Sequence, residues 1–386
     1  MDLTRIPVID THAHPFSAES QRIVPDVLRD ALSVSLRGVT PVINESSLLT
    51  RVTVRELARL LDCEANLEAV VAARNAAASG DYRAYIARLF ADATIATLLV
   101  DHGYPASPEL PFEPFAALLP RRTYQGYRIE RFWPAQSFHA HDDDASGGSP
   151  SAFDAALEAY EARLDQAVQE EGCVFYKTVM AYRTGLAIRS VERAEAEAAW
   201  STHRAYGDAS EKVIRDYLFI VAAQKAREHG IPFQVHTGHT SHINLWPNAN
   251  PILLTPILNS GAVDGATLVL IHGGYPFCTE AGYLTSIYPD VYVDLSLIIP
   301  WASVGIGSRI LQIFEAAPTA KVMYASDGIS VPELHWIGAI ITRRAFGIAL
   351  DQMIAAQFVT ASEAEEIAHD VFYRTARRVY RLPADA

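Results

Sequence analysis

Two histidines one residue apart close an apolar run near the start of the chain, Pro7-Val8-Ile9-Asp10-Thr11-His12-Ala13-His14-Pro15. Side chains at i and i+2 of a β-strand point the same way, so His12 and His14 project together from one strand end. Pro15 keeps the strand from continuing. Two imidazoles side by side form half of a transition-metal site, because neutral histidine nitrogen is a common ligand for zinc-like ions. The same pair at the end of an edge strand would be surface decoration, so its meaning depends on what else the chain supplies.

Four later apolar runs also end in a group able to bind metal or handle protons: Lys177 ends CVFYK, His236 ends FQVH, His272 ends LVLIH and Asp327 ends VMYASD. The elements that would position them follow from the pattern. Eight β-like runs fall at 7–11, 96–101, 126–132, 173–178, 232–237, 267–272, 291–296 and 321–327, several of them nearly continuous and β-branched, as in strands buried on both faces. Between them 151–171, 208–229 and 302–317 have helical spacing, and Ser210 resembles a capped helix start. Alternating strands and helices imply parallel βαβ units, and eight units close into a (β/α)8 TIM-like barrel whose strand C-termini converge on one mouth. The chain is expected to form one barrel domain over 1–386. The mostly helical stretch 17–95 is a helical insertion or lid after the first strand, and 359–386 is a terminal helix with a frayed tail. The polar stretch 139–149, with His139, His141 and Asp142, has the composition of a solvated loop.

The order His-x-His, Lys, His, His, Asp on successive strand ends resembles the amidohydrolase superfamily of metal-dependent barrels. The segment Lys177-Thr178-Val179-Met180-Ala181-Tyr182-Arg183-Thr184-Gly185-Leu186 is similar to the K-[ST]-x-x-A-Y-R-x-G-L stretch of one branch, found fused to glutamine-synthetase-like proteins and in nodulin-like proteins. Ser326-Asp327 followed by Pro332-Glu333-Leu334 fits the same branch.

This resemblance implies that His12, His14 and Asp327 bind one divalent ion and that His236 and His272 bind a second. It also implies that Lys177, carboxylated by carbon dioxide, bridges the two ions. Such a bridge suits cations about 3.5–4 Å apart, and zinc is the default from its ligand chemistry. Asp327 would then act as general base and acid in hydrolysing a C–N bond. In one-metal relatives His12, His14, His236 and Asp327 hold the ion, His272 is a free acid–base group and Lys177 is unmodified. His272-Gly273-Gly274 is similar to a motif of that decarboxylase-like branch.

Around this constellation Arg183 is placed to clamp a substrate carboxylate, or to pair with a barrel acid. Tyr182 and Tyr275 follow strand ends and can donate to a developing oxyanion, or pack. His239 and His242 follow His236 and can line the pocket; Trp246, Trp301 and Trp336 offer an apolar wall or core; Glu333 either anchors a loop or faces the mouth.

Composition narrows the alternatives. The formal net charge of −13 argues against nucleic acid and anionic membranes as partners, and no apolar run is long enough to span a bilayer. Cys63, Cys173 and Cys278 are too far apart for a disulfide framework or a CxxC zinc site. With no secretory signal at the N-terminus, they point to a reduced, cytoplasmic setting. The expected partner is a small molecule, and homo-oligomerisation is left open. The leading function is hydrolysis of an amide of a small carboxylate-bearing molecule, with γ-glutamyl amides as the specific guess. A mononuclear decarboxylase, a sugar-acid isomerase and a degenerate binding barrel are the competing readings.

Overall fold

The computed structural model describes residues 1–16, 22–33, 42, 45–102, 111–132, 150–203, 209–240, 243–296 and 300–384. Parts of 17–95, the 139–149 stretch and His242 lie outside them. Eight strands, β1 (Val8–Ala13), β2 (Ile95–Asp101), β3 (Arg122–Arg128), β4 (Tyr176–Thr178), β5 (Phe233–His236), β6 (Leu268–Ile271), β7 (Val291–Asp294) and β8 (Val322–Met323), follow one another in a single sheet in chain order. β1 pairs with β2, and β3 through β7 pair successively, all in parallel. With helices between the strands this is a (β/α)8 TIM-like barrel with helical insertions.

By internal packing the chain divides into two units, Met1–Tyr124 with Asp294–Ala386, and Gln125–Val293. In the first, β1 leads into α1 (Pro25–Ala31), α2 (Leu48–Leu61), α3 (Leu67–Gly80) and α4 (Tyr82–Asp92), and β2 into α5 (Phe112–Leu118). The helices after β1 start where their sequence caps them: Ser47, Asn66 and Asp81 each accept a backbone N–H from the first turn of α2, α3 and α4. Later come α11 (Ile306–Phe314), α12 (Pro332–Ala355), α13 (Ala361–His369) and α14 (Thr375–Val379). Pro332 sits at the start of α12, where its missing N–H costs nothing, and Thr360 with Glu363 forms a capping box on α13.

The insertion is fastened to α12 by polar contacts in a dry interior. Arg74 Nε donates to Glu333 Oε1 at 2.7 Å, both side chains being fully buried, and Tyr85 Oη donates to the same oxygen at 2.7 Å. Burial alone would pull the Arg74 guanidinium down, but the Glu333 carboxylate raises it above its ordinary value. Trp336 Nε1 adds a bond to Asp92 at 2.9 Å. Glu333 is therefore an anchor, and Trp336 is core.

The second unit holds α6 (Pro150–Gln169), α7 (Arg193–Thr202), α8 (Ala209–His229), α9 (Thr255–Asn259) and α10 (Cys278–Ile287). α8 begins at Ala209, so Ser210 lies inside its first turn and does not precede it.

Two strands differ from the sequence pattern for local reasons. The third run was expected at 126–132, but β3 ends at Arg128 and Ile129–Phe132 form a 3-10 turn. That turn lets Glu130 fold back and accept from Thr178 Oγ1 at 2.6 Å and Val179 N at 2.8 Å. The eighth run was expected over 321–327, but β8 stops at Met323. Beyond it the backbone serves other partners: Tyr324 N donates to Val371 O, while Tyr324 O accepts from Thr11 N at 3.2 Å and Thr11 Oγ1 at 3.0 Å. Among the described residues no helix is long and apolar enough to cross a membrane.

Arg343 on α12 ties down the entry to β1 and β2. Its guanidinium is buried, donates to the carbonyls of Leu3, Ile6 and Ala93, and is pulled down to about 10 by that burial. Arg343→Met should strand three carbonyls without a donor and lower stability by roughly 3–5 kcal/mol in urea unfolding, with Arg343→Lys restoring part of the loss.

Candidate metal centre

In the first unit β1 delivers the two histidines as a pair. Both are buried, and the rings meet edge to face with centroids 5.1 Å apart. His14 Nδ1 lies 3.2 Å from the Asp101 carbonyl oxygen and 4.0 Å from its Oδ2. A carbonyl only accepts, so His14 donates through Nδ1 and turns Nε2 toward Asp327.

That Nε2 is 3.3 Å from Asp327 Oδ1, and His12 Nε2 is 3.4 Å from the same oxygen. An electron pair facing a carboxylate oxygen is an arrangement that a cation stabilises. Ligands about 2.1 Å from a tetrahedral ion stand roughly 3.4 Å from one another, and each of the two histidine–Asp327 separations matches that spacing. His12, His14 and Asp101 also each offer a ligand atom within 4.8 Å of the others. Asp101 ends β2, as Lys177 and His236 lie at the ends of their apolar runs, and His102 follows it directly in the sequence.

Two buried groups beneath this cluster carry shifted protonation. Burial pushes the Asp10 carboxyl up to about 7, with Asp294 adding to the rise and hydrogen bonds from Ser326 and His12 opposing it. His335 on α12 packs edge to face on Phe16 and against Gly328, and neither ring nitrogen has a hydrogen-bond partner among the described residues. Burial holds it down at about 3, with His14 acting in the same direction and Asp327 against it.

In the second unit Lys177 lies inside β4, buried, in register with Arg128 of β3 and Gln234 of β5. His236 ends β5 and His272 follows β6 with φ +73°. His236 Nε2 is 2.7 Å from the His239 carbonyl, so it carries the proton there and accepts through Nδ1 from His272 Nε2 at 2.8 Å. This pair is thus closed on a hydrogen bond and is tighter than the spacing around an ion.

Tyr182, in the 3-10 turn Met180–Tyr182, sets its ring edge to face on His236 at 4.6 Å; the His239 ring lies 5.3 Å from Trp246. Tyr275 is half-buried just past Gly274, and Arg183 is exposed just past the Tyr182 turn. The structure therefore brings His12, His14 and Asp327 together in one unit, and His236, His272, Tyr182 and the His239 backbone in the other. Gly238, with φ +74°, makes the second grouping possible: a Cβ there would overlap Tyr275 O and Gly274 C.

The amidohydrolase family model matches residues 193–382, which span β5 to β8 with His236, His272 and Asp327. Protein fluG of Emericella nidulans is 28% identical over 410 aligned residues, covering 97% of this chain and 46% of that protein, so the chain spans about half the length of this curated relative. A crystal structure from Lactobacillus casei, provisionally described as a metal-dependent hydrolase, superposes with a TM-score of 0.82 at 24% identity, covering 98% of this chain and 97% of that one. Glucuronate isomerase from Caulobacter crescentus superposes with a TM-score of 0.68 at 18% identity, covering 99% and 93%. The two structures show a shared fold.

Two measurements check these local accounts. Gly238→Ala should lower stability by about 2 kcal/mol or more, because the backbone must leave a positive φ or the two loops must part. His335, whose folded value lies below the ordinary 6.5, takes up a proton only on unfolding. Its contribution is complete above that value and is lost towards pH 3 at about 1.4 kcal/mol per pH unit. His335→Leu should therefore show a flatter loss of stability than the wild type between pH 6.5 and 4, read by urea unfolding at each pH.

Proposed function

We propose that this chain is a metal-dependent hydrolase that cleaves the C–N bond of an amide of a small carboxylate-bearing molecule, with γ-glutamyl amides the first class to test. The observation that carries the metal reading is the pair of 3.3 and 3.4 Å separations from Asp327 Oδ1 to His14 and His12. Active sites of (β/α)8 barrels form at the C-terminal strand ends, and His12, His14, Lys177, His236, His272 and Asp327 lie at or just past the ends of their apolar runs, which supports reading them as the metal-binding set. A divalent ion bound there, zinc by ligand chemistry, acidifies water and polarises a scissile carbonyl. His12, His14 and Asp327 hold the first ion, and His236 and His272 the second, with carboxylated Lys177 as the shared ligand of the two-ion form.

Asp327 accepts the proton of the attacking water and returns it to the leaving amine, the task a carboxylate at hydrogen-bond reach of both can perform. His272 assists as an acid–base group. Arg183 takes the substrate carboxylate in a two-pronged bond, while Tyr182, His239 and Tyr275 line the substrate and donate to the carbonyl oxygen.

A second reading is a one-ion decarboxylase, favoured by the 2.8 Å His236–His272 hydrogen bond, which occupies the His236 Nδ1 lone pair and keeps a proton on His272 Nε2. Metal analysis with intact mass separates the two. Two ions per chain and a carbon-dioxide-sized increment lost in Lys177→Ala support the hydrolase. One ion with unmodified Lys177 overturns the two-ion form. On a γ-glutamyl amide panel the wild type should release amine and Asp327→Asn should lose about a hundredfold or more in kcat; release of carbon dioxide from a carboxylate substrate, without amine release, would select the decarboxylase.

A further inference from the structure

We infer that Asp10 and Ser326 are positioning residues that hold the Asp327 carboxylate in its ligand geometry; the inference rests on the metal reading of Asp327 above. Asp327 occupies a left-handed backbone conformation, φ +52°, uncommon for a residue that carries a Cβ. The N–H groups of Ser326, Asp327 and Gly328 are all engaged. Ser326 N donates to Asp10 Oδ1 at 2.9 Å, and Ser326 Oγ donates to Asp10 Oδ2 at 2.5 Å. Ser326 Oγ in turn accepts from Gly328 N at 2.9 Å, which closes a turn around Asp327. Asp327 N donates to His12 O at 2.9 Å, and Gly328 O accepts from His14 N at 2.7 Å.

The geometry has a direct consequence. Asp10 stands two residues before His12 on β1, so one strand carries both histidines and the anchor of the carboxylate that faces them. The anchor is dry, with Asp10 and Ser326 fully buried, and no water competes for these bonds. Its backing is tight as well. A Cβ at Gly338 would stand 3.2 Å from Ser326 Cβ, and one at Gly328 would overlap the His335 ring. Removing the Ser326 hydroxyl leaves a buried carboxylate oxygen and the Gly328 N–H without that bond, and the turn loses its reason to keep a positive φ. The ligand spacing of 3.3–3.4 Å is then no longer fixed.

The test uses the full chain and Zn2+ as probe, with affinity read by chelator competition, kcat and KM by amine release, and folding by melting temperature. Ser326→Ala and Asp10→Ala should each weaken Zn2+ binding by about tenfold or more and lower kcat with KM little changed. Asp10→Asn keeps an acceptor for Ser326 N and a polar atom opposite Ser326 Oγ, and should stay within about threefold of wild type. If Asp10→Ala does not fold, Ser326→Ala decides. Wild-type Zn2+ affinity in Ser326→Ala, even with a lowered melting temperature, would overturn the inference, as would an Asp10→Asn protein as impaired as Asp10→Ala. A wild-type chain that binds no Zn2+ overturns the metal reading itself, and the inference with it.

Discussion

The seam between the end of β1 and the turn after β8 is the constraint on which the grouping of His12, His14 and Asp327 depends. Five residues on one side, Asp10 to His14, and five on the other, Tyr324 to Gly328, exchange hydrogen bonds through backbone and side chains. Past the end of β8 the Tyr324 carbonyl is held by Thr11 of β1. The same seam holds Asp327 at a positive φ. A metal ligand set built on loops would drift; here two ligands and their facing carboxylate belong to one hydrogen-bonded object.

The histidine pair of the second unit is built differently. His236 and His272 contact one another directly, and the proton order along His272, His236 and the His239 carbonyl is fixed by which atom can only accept. The two groupings therefore begin from unequal states: spacing that already fits a cation on one side, and a closed hydrogen bond on the other. Opening that bond requires the two ring nitrogens to separate by about half an ångström, a movement that the glycine-rich segment after His272 can absorb more cheaply than β5 can.

Much of this was legible in the sequence because strand ends carry their own signature. A continuous apolar run followed by His, Lys or Asp marks both the strand and its functional tip, and the runs ending at His236 and His272 were read to within a residue or two. What was not legible depends on contacts between residues far apart in the chain. Asp101 looked like an ordinary strand end until His14 was seen to donate to its carbonyl. Asp10 and Ser326 are 316 positions apart, and nothing in the spacing of either points to the other. The early end of β3 has the same origin, since Glu130 leaves the strand to satisfy Thr178 and Val179. His335 sits in the first turn of α12, with only its apolar neighbours Leu334 and Trp336 to show that it is buried.

The Arg74–Glu333 pair bears on how such a barrel can change over time. Helices inserted between two strands are usually treated as additions that can be shortened, exchanged or lost while the barrel stays the same. Here the last barrel helix carries a buried carboxylate whose counter-charge comes from α3, with Tyr85 of α4 sharing the same oxygen. Losing the inserted helices would leave that charge in an apolar interior, at a cost no marginally stable domain tolerates. Barrel and insertion are thus bound into a single heritable unit, and a lineage that discards the helices must neutralise position 333 in the same step.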